Sequence, residues 1–101
     1  MTKPRRSQSA STEAGYSLEK VVQLTGVSRA VLVAYCESGV LPLAPDDLAT
    51  RTFDDELIRA IRRIEILREH HGINLTGIRM IRELTQEVER LRGELRFRSE
   101  R

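Results

Sequence analysis

The chain has 101 residues, of which 32% are charged and only 4% are aromatic. A chain of this length forms one small domain, and its single core has little stability to spare unless another subunit adds to it. The composition suits a helix-rich protein and disfavours a packed β-sandwich, while the formal net charge of +2 permits nucleic-acid binding without requiring it.

The single cysteine, Cys36, excludes an intrachain disulfide framework and fits a reducing compartment. No apolar run approaches the length that spans a membrane. The basic start of the chain is not followed by the apolar core of a signal peptide. We therefore expect a cytoplasmic protein with no membrane partner.

Residues 1–15 are basic, rich in Ser and Thr, and poor in apolar side chains. Such a segment buries too little surface to offset the entropy of ordering it, so we expect a disordered basic tail. Two interpretations stay open for it, an arm that contacts phosphates and a tail that only aids solubility.

Residues 16–42 carry the signals of a helix-turn-helix. Ser17 caps a first helix, Gly26 ends it in the left-handed conformation, and Ser28 caps a second helix of about three turns that ends at Gly39. The apolar residues at helical spacing that face one another are Leu18, Val21, Val22, Leu24, Val31, Leu32 and Tyr35. The second helix presents the surface that decides the function.

The segment 40–52 contains two prolines and the pair Asp46-Asp47, and predicts a loop that ends in a short extended piece at 51–53. After a helix-turn-helix, this is where a wing would lie. Asp54 then caps a third helix that Gly72 ends. Its apolar positions are Leu57, Ile61, Ile64 and Leu67.

Asn74 caps a final helix whose apolar residues alternate three and four apart, as in a coiled coil. These seam residues are Ile81, Leu84, Val88, Leu91 and Leu95. A helix with so narrow a seam needs a packing partner, either its own domain or a second copy of the chain. The charged residues beside the seam favour a second copy, and hence a homodimer.

In this order, the elements resemble the MerR superfamily over nearly all of residues 16–97. The matching positions are Gly26, Val27, Ser28, Leu32, Tyr35, Gly39, Leu41, Pro42, Arg51, Phe53, Gly72, Ile73, Asn74 and Leu75. The resemblance implies an all-α fold with a small wing. A MerR-type winged helix-turn-helix would occupy residues 16–73, and a C-terminal coiled-coil dimerisation helix with its tail residues 74–101.

The second helix departs from the family pattern at the positions that meet DNA. MerR regulators usually carry Thr-Leu-Arg-Tyr-Tyr-Glu-Arg there, with Arg and Tyr side chains on the DNA backbone. This chain has Val33, Ala34 and Glu37 in place of Arg, Tyr and Arg. In the wing, only Arg51 remains of the usual Gly-Tyr-Arg. Because phosphate neutralisation supplies most non-specific affinity, the helix has lost most of the cations that DNA binding needs.

These departures, with Phe-Asp-Asp-Glu at 53–56 and the segment 72–78, resemble the chaperone-modulator (CbpM-type) branch. Its members bind the J-domain of a DnaJ-type co-chaperone and restrain it, and an exposed helix of that domain is strongly basic. The resemblance therefore implies an acidic binding face. Its candidate residues are Glu37, Asp46, Asp47, Asp54 and Asp55. For the last two a structural role is an equal alternative, because a helix N-terminus favours carboxylates whatever it binds.

The segment 72–78 also resembles MerR-type heat-shock repressors, which bind DNA. A DNA-binding transcriptional regulator is therefore the alternative function, with Arg29 and Arg51 on phosphates. The scarcity of cations in the second helix favours the modulator.

Other chemistry has little support in the sequence. His70 and His71 are adjacent, so they point about 100° apart on a helix and cannot chelate one ion as an i, i+4 pair can. We expect Cys36 to be a small, half-buried residue. No phosphate-binding glycine loop or nucleophile-base arrangement is present, so we predict neither an enzyme nor a cofactor or metal site. No small-molecule effector is evident.

Overall fold

The computed structural model describes residues 15–99, which form helices joined by loops. In chain order the elements are α1 (Leu18–Thr25), α2 (Arg29–Glu37), a 3-10 turn (Pro45–Asp47), α3 (Asp55–Glu69) and α4 (Leu75–Ser99). α1 packs against α3, α2 packs against the 3-10 turn, and α3 packs against α4. The basic tail predicted at the start of the chain lies outside the described residues up to position 14.

Local capping forms the helix-turn-helix, as predicted. The hydroxyl of Ser17 accepts a hydrogen bond from the Lys20 amide, and that of Ser28 accepts one from the Val31 amide, each at 3.2 Å. Gly26 ends α1 with a φ of 75°, in the left-handed region where glycine carries no Cβ penalty. Each cap satisfies an amide that the helix leaves unpaired, and each is typically worth about 1 kcal/mol.

The later caps were predicted as well. The Asp54 carboxylate accepts a hydrogen bond from the Leu57 amide at 2.9 Å and starts α3. Gly72, with a φ of 66°, follows that helix. The Asn74 side chain accepts a hydrogen bond from a backbone amide in the first turn of α4, at 2.9 Å. The predicted order of the four helices is therefore confirmed.

The core lies where α1, α2 and α3 meet, and the first turns of α4 close it. Its largest fully buried side chains are Val21, Leu32, Tyr35, Phe53 and Ile61. α4 adds a single buried residue, Ile78, although the helix is 25 residues long. Most of α4 therefore takes no part in the core of its own chain.

The predicted wing forms no β-strand within residues 15–99. The segment 40–52 is a loop that contains the 3-10 turn, and Phe53 pairs with Tyr16 in an isolated antiparallel bridge. Its two hydrogen bonds, Tyr16 N to Phe53 O and Phe53 N to Tyr16 O, measure 2.7 and 2.8 Å. Because the Phe53 side chain is fully buried, the extended piece ties the start of the domain to its core.

Gly15, which the sequence assigns to the tail, packs closely against the loop. Gly15 has a φ of 86°, and a Cβ placed on it would lie 2.6 Å from the Cβ of Thr52. Real side chains do not approach so closely, so only glycine fits here beside the loop. Close packing of Gly15 against Thr52 leaves no signal in the local composition of the sequence.

The seam of α4 is exposed in the single chain. The exposed fractions are 38% for Ile81, 65% for Leu84, 44% for Val88, 44% for Leu91 and 64% for Leu95. Of the two partners considered for this seam, the helix's own domain does not cover it. An exposed apolar stripe is typical of surfaces that pack against another molecule.

Candidate functional site

The outer face of α2 is small and apolar, with one carboxylate at its end. Ala30, Val33, Ala34 and Glu37 follow the i, i+3, i+4, i+7 spacing of one helix face. Ala30 and Glu37 are exposed, while Val33 and Ala34 are partly exposed. No cation lies on this stripe, so it offers nothing that neutralises a phosphate.

Three of the five predicted acidic residues lie near the carboxyl end of α2. Glu37 ends that helix, and Asp46 and Asp47 belong to the 3-10 turn that packs against it. All three are exposed. The pKa of the Cys36 thiol is raised, first by burial and then by the charges of Glu37 and Asp47. Two of these carboxylates therefore lie close enough to Cys36 to affect its ionisation.

The other two predicted acidic residues already have partners within the domain. Asp54 caps α3 through the Leu57 amide. The Tyr16 hydroxyl donates a hydrogen bond to Asp55 at 2.8 Å, and this bond raises the pKa of Tyr16. Both carboxylates thus have a structural role, which is the alternative that the sequence leaves open for them. Neither of these two hydrogen bonds involves Glu37.

The two cations of the DNA-binding alternative are exposed. Arg29 opens α2 and lines a shallow groove with Leu18 and Val22 of α1. Arg51 follows the 3-10 turn, and its backbone amide donates a hydrogen bond to the carbonyl of Asp47 at 2.9 Å. The backbone of Arg51 is therefore held beside the turn that carries Asp46 and Asp47.

Tyr35, a position that matches the family pattern, is fully buried and does not face a partner. Its hydroxyl donates a hydrogen bond to Glu65 and accepts one from Arg68 at 3.0 Å. The Arg68 guanidinium also lies 5.8 Å from the centroid of the ring. Burial and the bond to Glu65 raise the pKa of Tyr35 to about 12. Tyr35 joins α2 to α3, and no local pattern in the sequence indicates these two partners.

Cys36 is also buried, with 7% of its surface exposed, so it is less accessible than predicted. It is a free thiol on the inner face of α2. Within residues 15–99 no group of three or more His, Cys, Asp and Glu side chains is placed to hold a metal ion. His70 and His71 are both exposed just after α3.

One contact of α4 with the end of α2 was not predicted. The guanidinium of Arg82 donates a hydrogen bond to the backbone carbonyl of Gly39 at 2.9 Å. The contact spans 43 positions of the sequence, and an arginine among many on a charged helix gives no local signal of it.

Comparison with known proteins identifies the family of this helical domain. Residues 16–85 match the family described as MerR HTH family regulatory protein, and this match includes the first turns of α4. No curated protein and no solved structure gives a significant match. No helix of the described residues is long and apolar enough to cross a membrane. A MerR helix-turn-helix domain implies a DNA-binding regulator that assembles as a dimer. Since the match covers more than half of the sequence, the chain belongs to the MerR family of helix-turn-helix regulatory proteins.

Proposed function

We propose that the chain is a MerR-type regulatory adaptor that binds the basic J-domain of a DnaJ-type co-chaperone and restrains it. The observation that carries the proposal is the outer face of α2, where the stripe from Ala30 to Glu37 offers no cation. Beside the end of that stripe, Asp46 and Asp47 add two exposed carboxylates. An acidic surface around a small apolar patch complements a basic helix.

The proposed binding residues are Glu37, Asp46 and Asp47. Asp54 and Asp55 contribute less, because their carboxylates are already used by the Leu57 amide and the Tyr16 hydroxyl. Charge complementarity of exposed side chains speeds encounter and fixes orientation more than it adds affinity. Binding should therefore weaken as the salt concentration rises. The affinity that remains at high salt should come from apolar contacts of Val33 and Ala34.

The test compares the wild type with the triple variant Glu37→Lys, Asp46→Lys, Asp47→Lys. Each protein is titrated against a J-domain and against a random DNA duplex at several salt concentrations. The reversal should weaken the J-domain complex by a few kcal/mol at most, because rim charges are individually modest, and it should increase DNA binding.

A matched control carries the same change in net charge on other elements. Glu19→Lys, Glu69→Lys and Glu89→Lys reverse one exposed carboxylate on each of α1, α3 and α4. This control should leave J-domain binding close to that of the wild type. Tight, sequence-selective DNA binding by the wild type, without any J-domain binding, would contradict the proposal.

The second candidate function is that of a DNA-binding transcriptional regulator, possessing the activity that the family implies. It is favoured by Arg29 and Arg51, which are exposed and form no ion pair with any other described side chain. In that case each lost phosphate contact should reduce the slope of log K against log salt concentration by about one unit. An Arg29→Ala, Arg51→Ala double variant that binds an operator as well as the wild type would exclude this version.

A further inference from the structure

The carboxyl end of α2 lacks the cation that usually stabilises such an end. The helix closes through two backbone hydrogen bonds, from the Gly39 amide to the Cys36 carbonyl at 3.2 Å and from the Val40 amide to the Tyr35 carbonyl at 3.1 Å. Its last turn contains no basic residue and ends at Glu37. A carboxylate at this end is unfavourable, because the helix dipole is already negative there.

α4 supplies the missing cation from another part of the chain. The guanidinium of Arg82 donates to the Gly39 carbonyl at 2.9 Å. The side chain of Arg79 packs over the same residue, since a Cβ placed on Gly39 would lie 3.0 Å from the Cδ of Arg79. Gly39 has a φ of 76°, so its carbonyl is held by a turn that favours glycine. The first turns of α4 therefore clamp the turn that ends α2.

The same part of α4 begins the exposed seam. Arg82 follows Ile81, the first seam residue, and both line a groove of about 340 Å³ between α3 and α4. Val40 and Pro42, which come directly after the turn at Gly39, line that groove as well. A contact that covers Ile81 would therefore lie beside Arg82 and beside the residues that follow the turn.

We propose that Arg82 is a positioning residue that couples the pairing of α4 with a second copy of the chain to the conformation of the end of α2. When α4 is paired, Arg82 is held on the Gly39 carbonyl, and the last turn of α2 stays closed. When α4 is unpaired, the hydrogen bond is made less often, and Glu37 loses its fixed position beside the 3-10 turn. The inference deepens the proposed function, since that function places the binding face at this turn.

The rate at which a thiol reagent reacts with Cys36 measures the opening of this turn, and the measurement needs no J-domain. The Cys36 thiol is buried and the Cys36 carbonyl accepts the Gly39 amide, so a thiol reagent reaches the thiol only when the end of α2 opens. The variant Arg82→Met keeps the length of the side chain and removes the donor. It should react roughly tenfold faster than the wild type, the effect of losing one charge-assisted hydrogen bond. Arg82→Lys, which keeps the cation, should react at nearly the wild-type rate.

Two further variants complete the experiment. Arg92→Met is the matched control, because Arg92 lies on the same helix and pairs with Glu89 at 3.7 Å, away from Gly39; its Cys36 should react at the wild-type rate. A variant that does not dimerise, Leu84→Asp with Leu91→Asp, should react faster than the wild type. Low concentrations of urea should hardly change the rates, since a local opening exposes little surface.

Three results would overturn the inference. They are a wild-type rate for Arg82→Met, a wild-type rate for the variant that does not dimerise, and rates that follow global unfolding in urea. The outcome is separate from that of the proposed function. Failure of the wild type to bind a J-domain would contradict the proposed function and leave the Cys36 rates to decide the role of Arg82.

Discussion

The hydroxyl of Tyr35 donates a hydrogen bond to the carboxylate of Glu65 and thereby joins α2 to α3. Arg68, one turn further along α3, donates to the same hydroxyl and forms an ion pair with Glu65 at 3.8 Å. The tyrosine ring is fully buried, so its polar end needs these partners. The position of α2 thus depends on a polar contact as well as on apolar packing.

The first prediction concerns the strength of this contact. Tyr35→Phe removes both hydrogen bonds of the hydroxyl and should destabilise the protein by about 1.5–3 kcal/mol, the usual contribution of a hydrogen bond to a charged group. The loss stays modest because Glu65 and Arg68 keep each other as partners. Urea unfolding measures it. Tyr16→Phe is the control, since the Tyr16 hydroxyl bonds to the exposed Asp55 and should matter less.

The second prediction concerns alkaline pH. The pKa of Tyr35 is raised from 10.0 to about 12 in the folded chain, which means that folding favours the protonated phenol. Its contribution to stability is therefore complete below pH 10 and is lost as the pH rises from there towards about 12. Urea unfolding across this interval should show the wild type losing more stability than Tyr35→Phe. Equal losses in the two proteins would contradict the assignment.

The sequence predicted the local features of the fold. Four side chains cap helices by accepting a hydrogen bond from the amide three residues further on, and such signals are contained in a few neighbouring residues. They are those of Ser17, Ser28, Asp54 and Asn74. Gly26 and the other turn glycines likewise follow from local backbone requirements. The features missed are contacts between distant residues, which no short window of the sequence contains.

The candidate site illustrates the same limit. The resemblance placed Asp55 in the acidic face, but its hydrogen bond from the Tyr16 hydroxyl depends on how α3 and the start of the domain meet. The bond from Arg82 to the Gly39 carbonyl depends on how α4 crosses the end of α2. The pattern of charges along the sequence does not distinguish a charged side chain that bonds within the domain from one that is available to a binding partner.

The third prediction compares two glycines of similar backbone conformation. Gly15 and Gly26 have φ of 86° and 75°, so alanine strains both, by roughly 1–2 kcal/mol. At Gly26 a Cβ would meet nothing within 4 Å, whereas at Gly15 it would lie 2.6 Å from Thr52. Gly15→Ala should therefore be clearly more destabilising than Gly26→Ala in thermal unfolding. Similar losses for the two variants would mean that Gly15 is not packed against the loop.

The last prediction concerns the seam of α4. Leu84 and Leu91 are 65% and 44% exposed in the single chain, so they contribute little to its core and should be replaceable without unfolding it. In a dimer they would be covered, at roughly 25 cal/mol per Å² of apolar area removed from water. Changing both to Asp should therefore produce monomers at concentrations where the wild type is dimeric, as measured by sedimentation.

A control with the same charge change separates this effect from general repulsion. Gln86→Asp with Gly93→Asp makes the same charge change at positions that are not part of the seam, Gln86 lining the groove beside α3, and should remain dimeric. The seam variant should also lose helix content by circular dichroism, because the part of α4 beyond Ile78 is then exposed to water without a partner, where an isolated helix is only marginally stable.

The orientation of the pair depends on the charges beside the seam. Glu87 and Glu94 would meet like charges in an antiparallel pair, but Arg90 pairs with both within its own chain, at 2.5 and 2.7 Å, and so reduces that repulsion. A wild type that sediments as a monomer at tens of micromolar would contradict the dimer, because the seam would then have no second copy to cover it.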